Sequence, residues 1–215
     1  MIRRLAALRR WAAVSRLLLI GYALVCSVGC AAIAVQLVLA GQDQLSQYLQ
    51  VATALVFVAA QFFLLVLIVT VSVWVYRAHA NLHEMHLDGL NYSPGWAVAS
   101  FFVPLVNLIV PFRSTRELYN RSMGEEAHFA AGSVGDVSSW WTCYVVGNLI
   151  QSFLVGMVLI DQLTPIYFTT PPIANDLLAV FANLLLALAA FFLFRVIGAI
   201  TVAQHSVTGV GETFA

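Results

Sequence analysis

The stretch GWAVASFFVPLVNLIV, Gly95–Val110, decides the architecture of this chain, because it is apolar enough to enter a membrane but short for a crossing. As a straight helix its 16 residues would reach about 24 Å, whereas the hydrocarbon core of a bilayer is roughly 30 Å thick. The stretch also contains Pro104 and Asn107 and is followed by Pro111, which disfavours an uninterrupted helix exposed to lipid. We therefore predict a short re-entrant or interfacial hairpin here, with a fifth span as the alternative.

Four other stretches are long and apolar enough to cross a bilayer as helices. They run from Leu17 to Ala40, from Val51 to Tyr76, from Trp140 to Ile160 and from Leu177 to about Val202. The whole chain is 61% hydrophobic and only 9% charged, which excludes a water-soluble globular domain. The sequence thus predicts an all-α, polytopic helical membrane protein in which residues 1–215 form a single domain.

The arginines indicate how this domain is oriented. The chain has ten arginines and no lysine. If residues 95–110 turn back, nine of them fall on one side of the membrane, and the tenth, Arg195, lies toward that end of the last span. The nine are Arg3, Arg4, Arg9, Arg10, Arg16, Arg77, Arg113, Arg116 and Arg121. Because cytoplasmic segments carry the excess of arginine and lysine, we expect a cytoplasmic N-terminus.

Four motifs in the middle of the chain carry a resemblance to a known family. They are VWVYRAHANL (Val73–Leu82), YSPGWAV (Tyr92–Val98), FFVPLVNLIVPFR (Phe101–Arg113) and REL (Arg116–Leu118). Together they resemble domain of unknown function 4328. The resemblance implies a multi-pass bacterial membrane protein without an assigned activity, so no catalytic residue is carried over. We expect the protein in the bacterial cytoplasmic (inner) membrane.

The motif positions are the candidate interaction residues of this chain. They are Tyr76, Arg77, Asn81, Pro94, Gly95, Trp96, Pro104, Asn107, Pro111 and Glu117, to which we add the neighbouring Arg113 and Arg116. Since Arg113 lies four residues before Glu117, the two are predicted to pair along a helix. If the hairpin turns back, Arg77 reaches the same membrane face, and an ion pair with Glu117 is a further hypothesis.

A second group of candidates is histidine-rich. His79, His83 and His86 share one face of a helix, with Glu84 beside them, and such a face could bind zinc or copper. The metalloprotease motif requires its second histidine four residues after the first, whereas His86 follows His83 by three. We therefore predict no metal site and no cofactor, and a membrane-embedded metal-dependent enzyme stays an alternative.

The predicted spans contain a polar stripe of Tyr144, Asn148 and Gln151, which could reach Gln61 or Asn183 on other helices. Hydrogen bonds that fix helix packing are the simpler interpretation. An oligomeric channel or small-solute facilitator is the alternative. The cores of the spans lack aspartate and glutamate, which argues against proton coupling.

These observations favour a non-enzymatic membrane protein that acts through protein-partner or lipid contacts on its cytoplasmic face. The expected partners are the lipid bilayer and either another membrane protein or further copies of this chain. Nucleic acid is excluded as a partner, since the formal net charge is zero.

Overall fold

A computed structural model of the chain describes residues 2–39, 43–85, 89–126, 135–166 and 170–213. All regular secondary structure in these residues is helical. The α-helices are α1 (Ile2–Val38), α2 (Asp43–Glu84), α3 (Pro94–Ala99), α4 (Val110–Ser122), α5 (Gly135–Leu163) and α6 (Pro172–Thr213). Two short 3-10 turns, Ser100–Phe102 and Val106–Leu108, lie between α3 and α4. The predicted all-α class is confirmed.

Four helices, α1, α2, α5 and α6, are long and apolar enough to span a membrane. The shortest, α5, has 29 residues and therefore extends over about 44 Å, more than the roughly 30 Å of a hydrocarbon core. Three of the four predicted spans lie within these helices, and the first, predicted from Leu17 to Ala40, lies in α1 as far as Val38. The four long apolar helices confirm a multi-pass membrane protein. Each helix continues beyond its apolar stretch, and α2 carries His79 and His83 on its last turns.

Helix α6 lies at the centre of the bundle, between α1 and α5, and α2 packs on the other side of α1. Helices α1 and α6 are antiparallel. The Arg16 guanidinium lies 3.9 Å from the centre of the Phe194 ring, and further along the pair the Cys30 thiol donates to the Val180 carbonyl at 3.6 Å. The two ends of the chain therefore lie at the same end of the bundle.

That end also holds α3, α4, the last turns of α2 and the first turns of α5. The Trp74 indole donates to Thr201 at 3.2 Å, and Arg195 on α6 forms an ion pair with Asp136 on α5 at 3.0 Å. All ten arginines belong to these segments, to the first half of α1 or to the second half of α6, and we call this the arginine-rich end. Among the described residues, those that join the spans at the opposite end include no arginine.

Close approach of α5 to α6 depends on a glycine. A Cβ atom on Gly147 would lie 3.0 Å from Cγ of Leu186 and 3.3 Å from the Ala182 carbonyl oxygen. Small residues of this kind let membrane helices pack backbone to backbone. The contact holds α5 close to the central helix α6 and so determines the position of α5 relative to α2.

Candidate functional site at the arginine-rich end

Residues 94–110 form a hairpin, and the local sequence explains its shape. Ser93 caps α3 by accepting from the Trp96 amide at 3.3 Å, and Pro94 occupies the first turn, as the sequence predicts. The chain then reverses, so that α4 packs against α3. The segment does not continue as one helix and is not among the four helices long enough to span. The structure thus shows a chain reversal here, whereas a re-entrant or interfacial position of the hairpin in a bilayer stays a prediction.

The reversal itself is a tight γ-turn at Leu105. Its φ of 65° is the only positive φ of a non-glycine residue in the described part of the chain, and the Val106 amide donates back to the Pro104 carbonyl at 2.8 Å. Turns of this type are rare and strained. The hairpin's own backbone is further held by Trp141 on α5, whose indole donates to the Leu108 carbonyl at 3.1 Å. Sequence reasoning did not identify this role of Trp141.

The tip of the hairpin, residues 102–109, presents apolar side chains outward. Leu105 is 79% exposed and Phe102 62% exposed. Val103, Leu108, Ile109 and, on α3, Trp96 are exposed as well. An exposed apolar surface of this extent is typical of contact with lipid or with another protein.

Glu117 is the best-anchored of the candidate residues. It is only 2% exposed, and its carboxylate accepts from the Asn91 amide at 3.0 and 3.1 Å, from the Asn91 side chain at 2.7 Å and from the Tyr92 amide at 3.2 Å. These bonds tie the loop before α3 to α4. In the described residues no ion pair joins Glu117 to Arg77 or Arg113, so both hypothesised pairs are wrong. The loop's own donors satisfy the carboxylate instead.

A second buried junction centres on Gln204 of α6. Its amide donates to the Ala78 carbonyl at 3.1 Å and to the Ser122 hydroxyl at 3.0 Å. Its oxygen accepts from the side chain of Asn81, one of the motif positions, at 3.3 Å. Because α2, α4 and α6 meet here, Asn81 has a structural role. Sequence reasoning did not identify Gln204, which lies 123 residues from Asn81.

The candidate residues divide into buried and exposed groups. Asn81, Pro111 and Glu117 are buried, whereas Tyr76, Gly95, Trp96, Pro104 and Arg113 are exposed. Arg77, Pro94, Asn107 and Arg116 are intermediate. The motif positions therefore supply both the framework of the arginine-rich end and its outer surface.

Tyr76, Arg77 and Asn81 line an open pocket with Arg4 of α1 and Val98 of α3. The Arg77 Nε is buried and has no hydrogen-bond partner among the described residues. Arg4 forms an ion pair with Glu84. The pocket thus combines two cations, an aromatic ring and an unsatisfied donor, which is a chemistry suited to an anionic oxygen ligand.

The histidines do not converge on one point. His79 is 1% exposed, and its Nδ1 lies 3.1 Å from the backbone carbonyl oxygen of Val75. His83 is exposed, and its Nδ1 lies 3.0 Å from the backbone carbonyl oxygen of His79. His86 lies outside the described residues. Each described ring is therefore bonded to its own helix. No cluster of three metal-ligating side chains occurs in the parts of the chain that the structure describes.

The polar stripe of α5 is likewise bonded locally. Asn148 donates to the Tyr144 carbonyl at 2.8 Å, and Asn183 donates to the Ala179 carbonyl at 2.9 Å, each on its own helix. The Gln151 carboxamide oxygen is buried without a partner in the described residues. Among the residues that the structure describes, neither asparagine forms the interhelical hydrogen bond expected of it.

Comparison with known proteins extends the resemblance well beyond the motifs. No curated protein sequence and no solved structure matches the chain. A family model described as domain of unknown function (DUF4328) matches residues 36–202, which take in α2, the hairpin, α4, α5 and most of α6. Because that match covers well over half of the 215 residues, the chain belongs to the DUF4328 family.

Proposed function

We propose that this protein acts without catalysis, by binding an anionic membrane lipid at its arginine-rich end. The observations that carry the proposal are the pocket of Arg4, Tyr76, Arg77 and Asn81 and the buried Arg77 Nε, which has no acceptor among the described residues. A lipid phosphate supplies such an acceptor and the negative charge that two arginines favour. The ion pair between Arg4 and Glu84 is largely exposed, so it offers little resistance to a competing phosphate.

The hairpin fits this proposal because it places an apolar surface next to the pocket. Val98 of α3 lines the pocket, and the exposed tip follows a few residues later. In a lipid-binding surface, the pocket would hold the headgroup while the tip rests among the acyl chains. The strained γ-turn at Leu105 supports a role for the tip, since such backbone strain is concentrated at functional sites.

The orientation of the protein forms part of the proposal. The ten arginines support a cytoplasmic location for the arginine-rich end, in the inner membrane of a bacterium. Single cysteines in a cysteine-free background test it. Glu126→Cys should react with a membrane-impermeant reagent only after the cells are opened, whereas Leu45→Cys should react in intact cells. Labelling of Glu126→Cys from outside would overturn the orientation.

Lipid selectivity tests the headgroup pocket. Delipidated protein is mixed with phosphatidylglycerol or phosphatidylcholine in a mild detergent, and bound lipid is counted by native mass spectrometry. We expect retention of phosphatidylglycerol over phosphatidylcholine. Arg77→Ala should weaken that retention about tenfold or more, because a charge-assisted hydrogen bond contributes about 1.5–3 kcal/mol. The matched control, Arg113→Ala, removes an exposed arginine of α4 and should retain the lipid.

Equal retention by wild type and Arg77→Ala would contradict the proposal.

A photo-crosslinking residue in place of Leu105 shows whether the tip contacts lipid or protein. We expect lipid adducts in cells. A single protein adduct in their place would show that the surface binds a protein partner.

A further inference from the structure

An apolar crevice lies between α2 and α5, in the half of the bundle next to the arginine-rich end. These two helices do not pack against each other, because α5 packs on α6 and α2 on α1. The crevice has a volume of about 170 Å³ and is lined by all four long helices. Phe101 and Phe102 of the hairpin and Trp140 of α5 line it too.

The extent of the crevice corresponds to one leaflet of a bilayer. Its lining on α2 runs from Leu64 to Val75, a distance of about 17 Å along the helix. Half of a hydrocarbon core is about 15 Å. Since both flanking helices span the membrane and leave a gap between them, the crevice opens sideways into the hydrocarbon of the leaflet on the arginine-rich side.

Water is excluded as the occupant by the lining. Apart from the indole of Trp140, the polar side-chain groups that line the crevice are the hydroxyls of Tyr22, Ser72 and Tyr144. These groups lie on three different helices and form a small part of an otherwise apolar lining that faces hydrocarbon, so the crevice favours an apolar occupant over water. An empty crevice would in turn forfeit the dispersion contacts of its lining. The occupant must therefore be apolar and must reach the crevice through the bilayer.

Size selects a thin occupant. A cavity of about 150 Å³ holds a ring of six carbons. This crevice of about 170 Å³ therefore holds a similar number of carbons of an acyl chain. One turn of an α-helix has 3.6 residues and therefore about 14 backbone heavy atoms alone, more than twice the six carbons that a cavity of this volume holds. A helix of a partner protein is consequently too large to enter, whereas an acyl chain fits.

We propose that the crevice binds an acyl chain of a membrane glycerolipid from the leaflet on the arginine-rich side. The inference goes beyond the proposed function, because this site and the headgroup pocket use neighbouring faces of α2 that overlap only at Ser72. Ser72 lines both sites. Tyr76 and Arg77 line only the headgroup pocket, whereas Ile68 and Val75 line only the crevice. The two sites can therefore be tested separately.

A photoreactive lipid tests the crevice directly. The protein is reconstituted in vesicles of phosphatidylethanolamine and phosphatidylglycerol that contain a trace of phosphatidylethanolamine with a diazirine midway along one acyl chain. Adducts are mapped by peptide mass spectrometry after illumination. We expect labelling of Tyr144 to exceed, by severalfold, that of Phe62, which faces outward on α2 and is 66% exposed. Labelling of Tyr144 no higher than that of Phe62 would overturn the proposal.

Filling the crevice provides a second readout. Ile68→Trp should reduce labelling of Tyr144 roughly fivefold or more, because the indole takes the space of the chain. The matched control, Val69→Trp, changes the neighbouring residue, which is 61% exposed on the outer side of α2. It should leave the labelling unchanged. An equal loss in both variants would refute a defined site.

Two further variants keep the result unambiguous. Ala190→Leu fills the crevice from α6, and it should lower Tyr144 labelling even if Ile68→Trp fails to fold. Arg77→Ala should not change the labelling. If crevice labelling is absent while Arg77 still governs phosphatidylglycerol retention, the acyl-chain site alone is wrong.

Discussion

Replacement of Glu117 by alanine should destabilise the protein more than any other removal of a single acidic side chain at the arginine-rich end. The carboxylate is buried and serves three donors, the amide and side chain of Asn91 and the amide of Tyr92. In Glu117→Ala the exposed loop residue Asn91 regains water, so each lost bond costs about 1 kcal/mol net, the usual value for an intramolecular hydrogen bond and below the roughly 1.5–3 kcal/mol of a bond to a charged group. The expected loss in the free energy of unfolding is therefore about 3 kcal/mol.

This loss is measurable as a thermal shift in detergent. For a chain of this length, 1 kcal/mol corresponds to roughly 2–4 °C, so the Tm of Glu117→Ala should fall by about 6–12 °C. Intrinsic tryptophan fluorescence or a thiol-independent dye can follow the transition. Glu117→Gln keeps the size and one acceptor oxygen but loses the charge. It should lose about 1–2 kcal/mol, an intermediate value.

The control is Glu126→Ala, which removes a carboxylate from an exposed residue a few positions beyond α4. Its Tm should stay close to that of the wild type. If Glu117→Ala and Glu126→Ala melt within about 2 °C of each other, the bonds to Asn91 and Tyr92 do not hold the hairpin loop in place. The account of the arginine-rich end as a framework anchored by Glu117 would then be refuted.

Two further predictions concern helix packing, each with an internal control. Gly147→Ala should lower stability by about 1–3 kcal/mol, because the added methyl group meets α6; Gly156→Ala on the same helix meets nothing within 4 Å and should raise stability by up to about 1 kcal/mol. An equal response of the two variants in thermal melts would contradict the close contact of α5 with α6. Gln204→Leu should cost about 2–4 kcal/mol because it leaves buried partners unsatisfied. Gln151→Leu, which removes an oxygen without a partner, should be neutral or stabilising, and a large loss there would point to an unrecognised contact.

The sequence by itself determined the number of spans, because the requirement for a membrane helix is a local one of length and hydrophobicity. The hairpin was also predictable, since Pro104 and the shortness of Gly95–Val110 are visible in the chain. The cap at Ser93 follows from a local hydrogen bond as well. Motifs confined to residues 73–118 were sufficient to recognise a family whose match extends over residues 36–202.

Only the tertiary structure decided which groups meet across the bundle. Glu117 had arginines in the right places along the chain, yet its carboxylate is satisfied by loop amides that become available only when the hairpin folds back. Gln204 gave no signal, since its partner Asn81 is distant in sequence. The crevice exists because α5 packs on α6 and leaves α2 unpartnered on that side. Hydrophobicity fixes that a helix enters the membrane, but the rotation and neighbours of that helix depend on packing with residues far away in the chain.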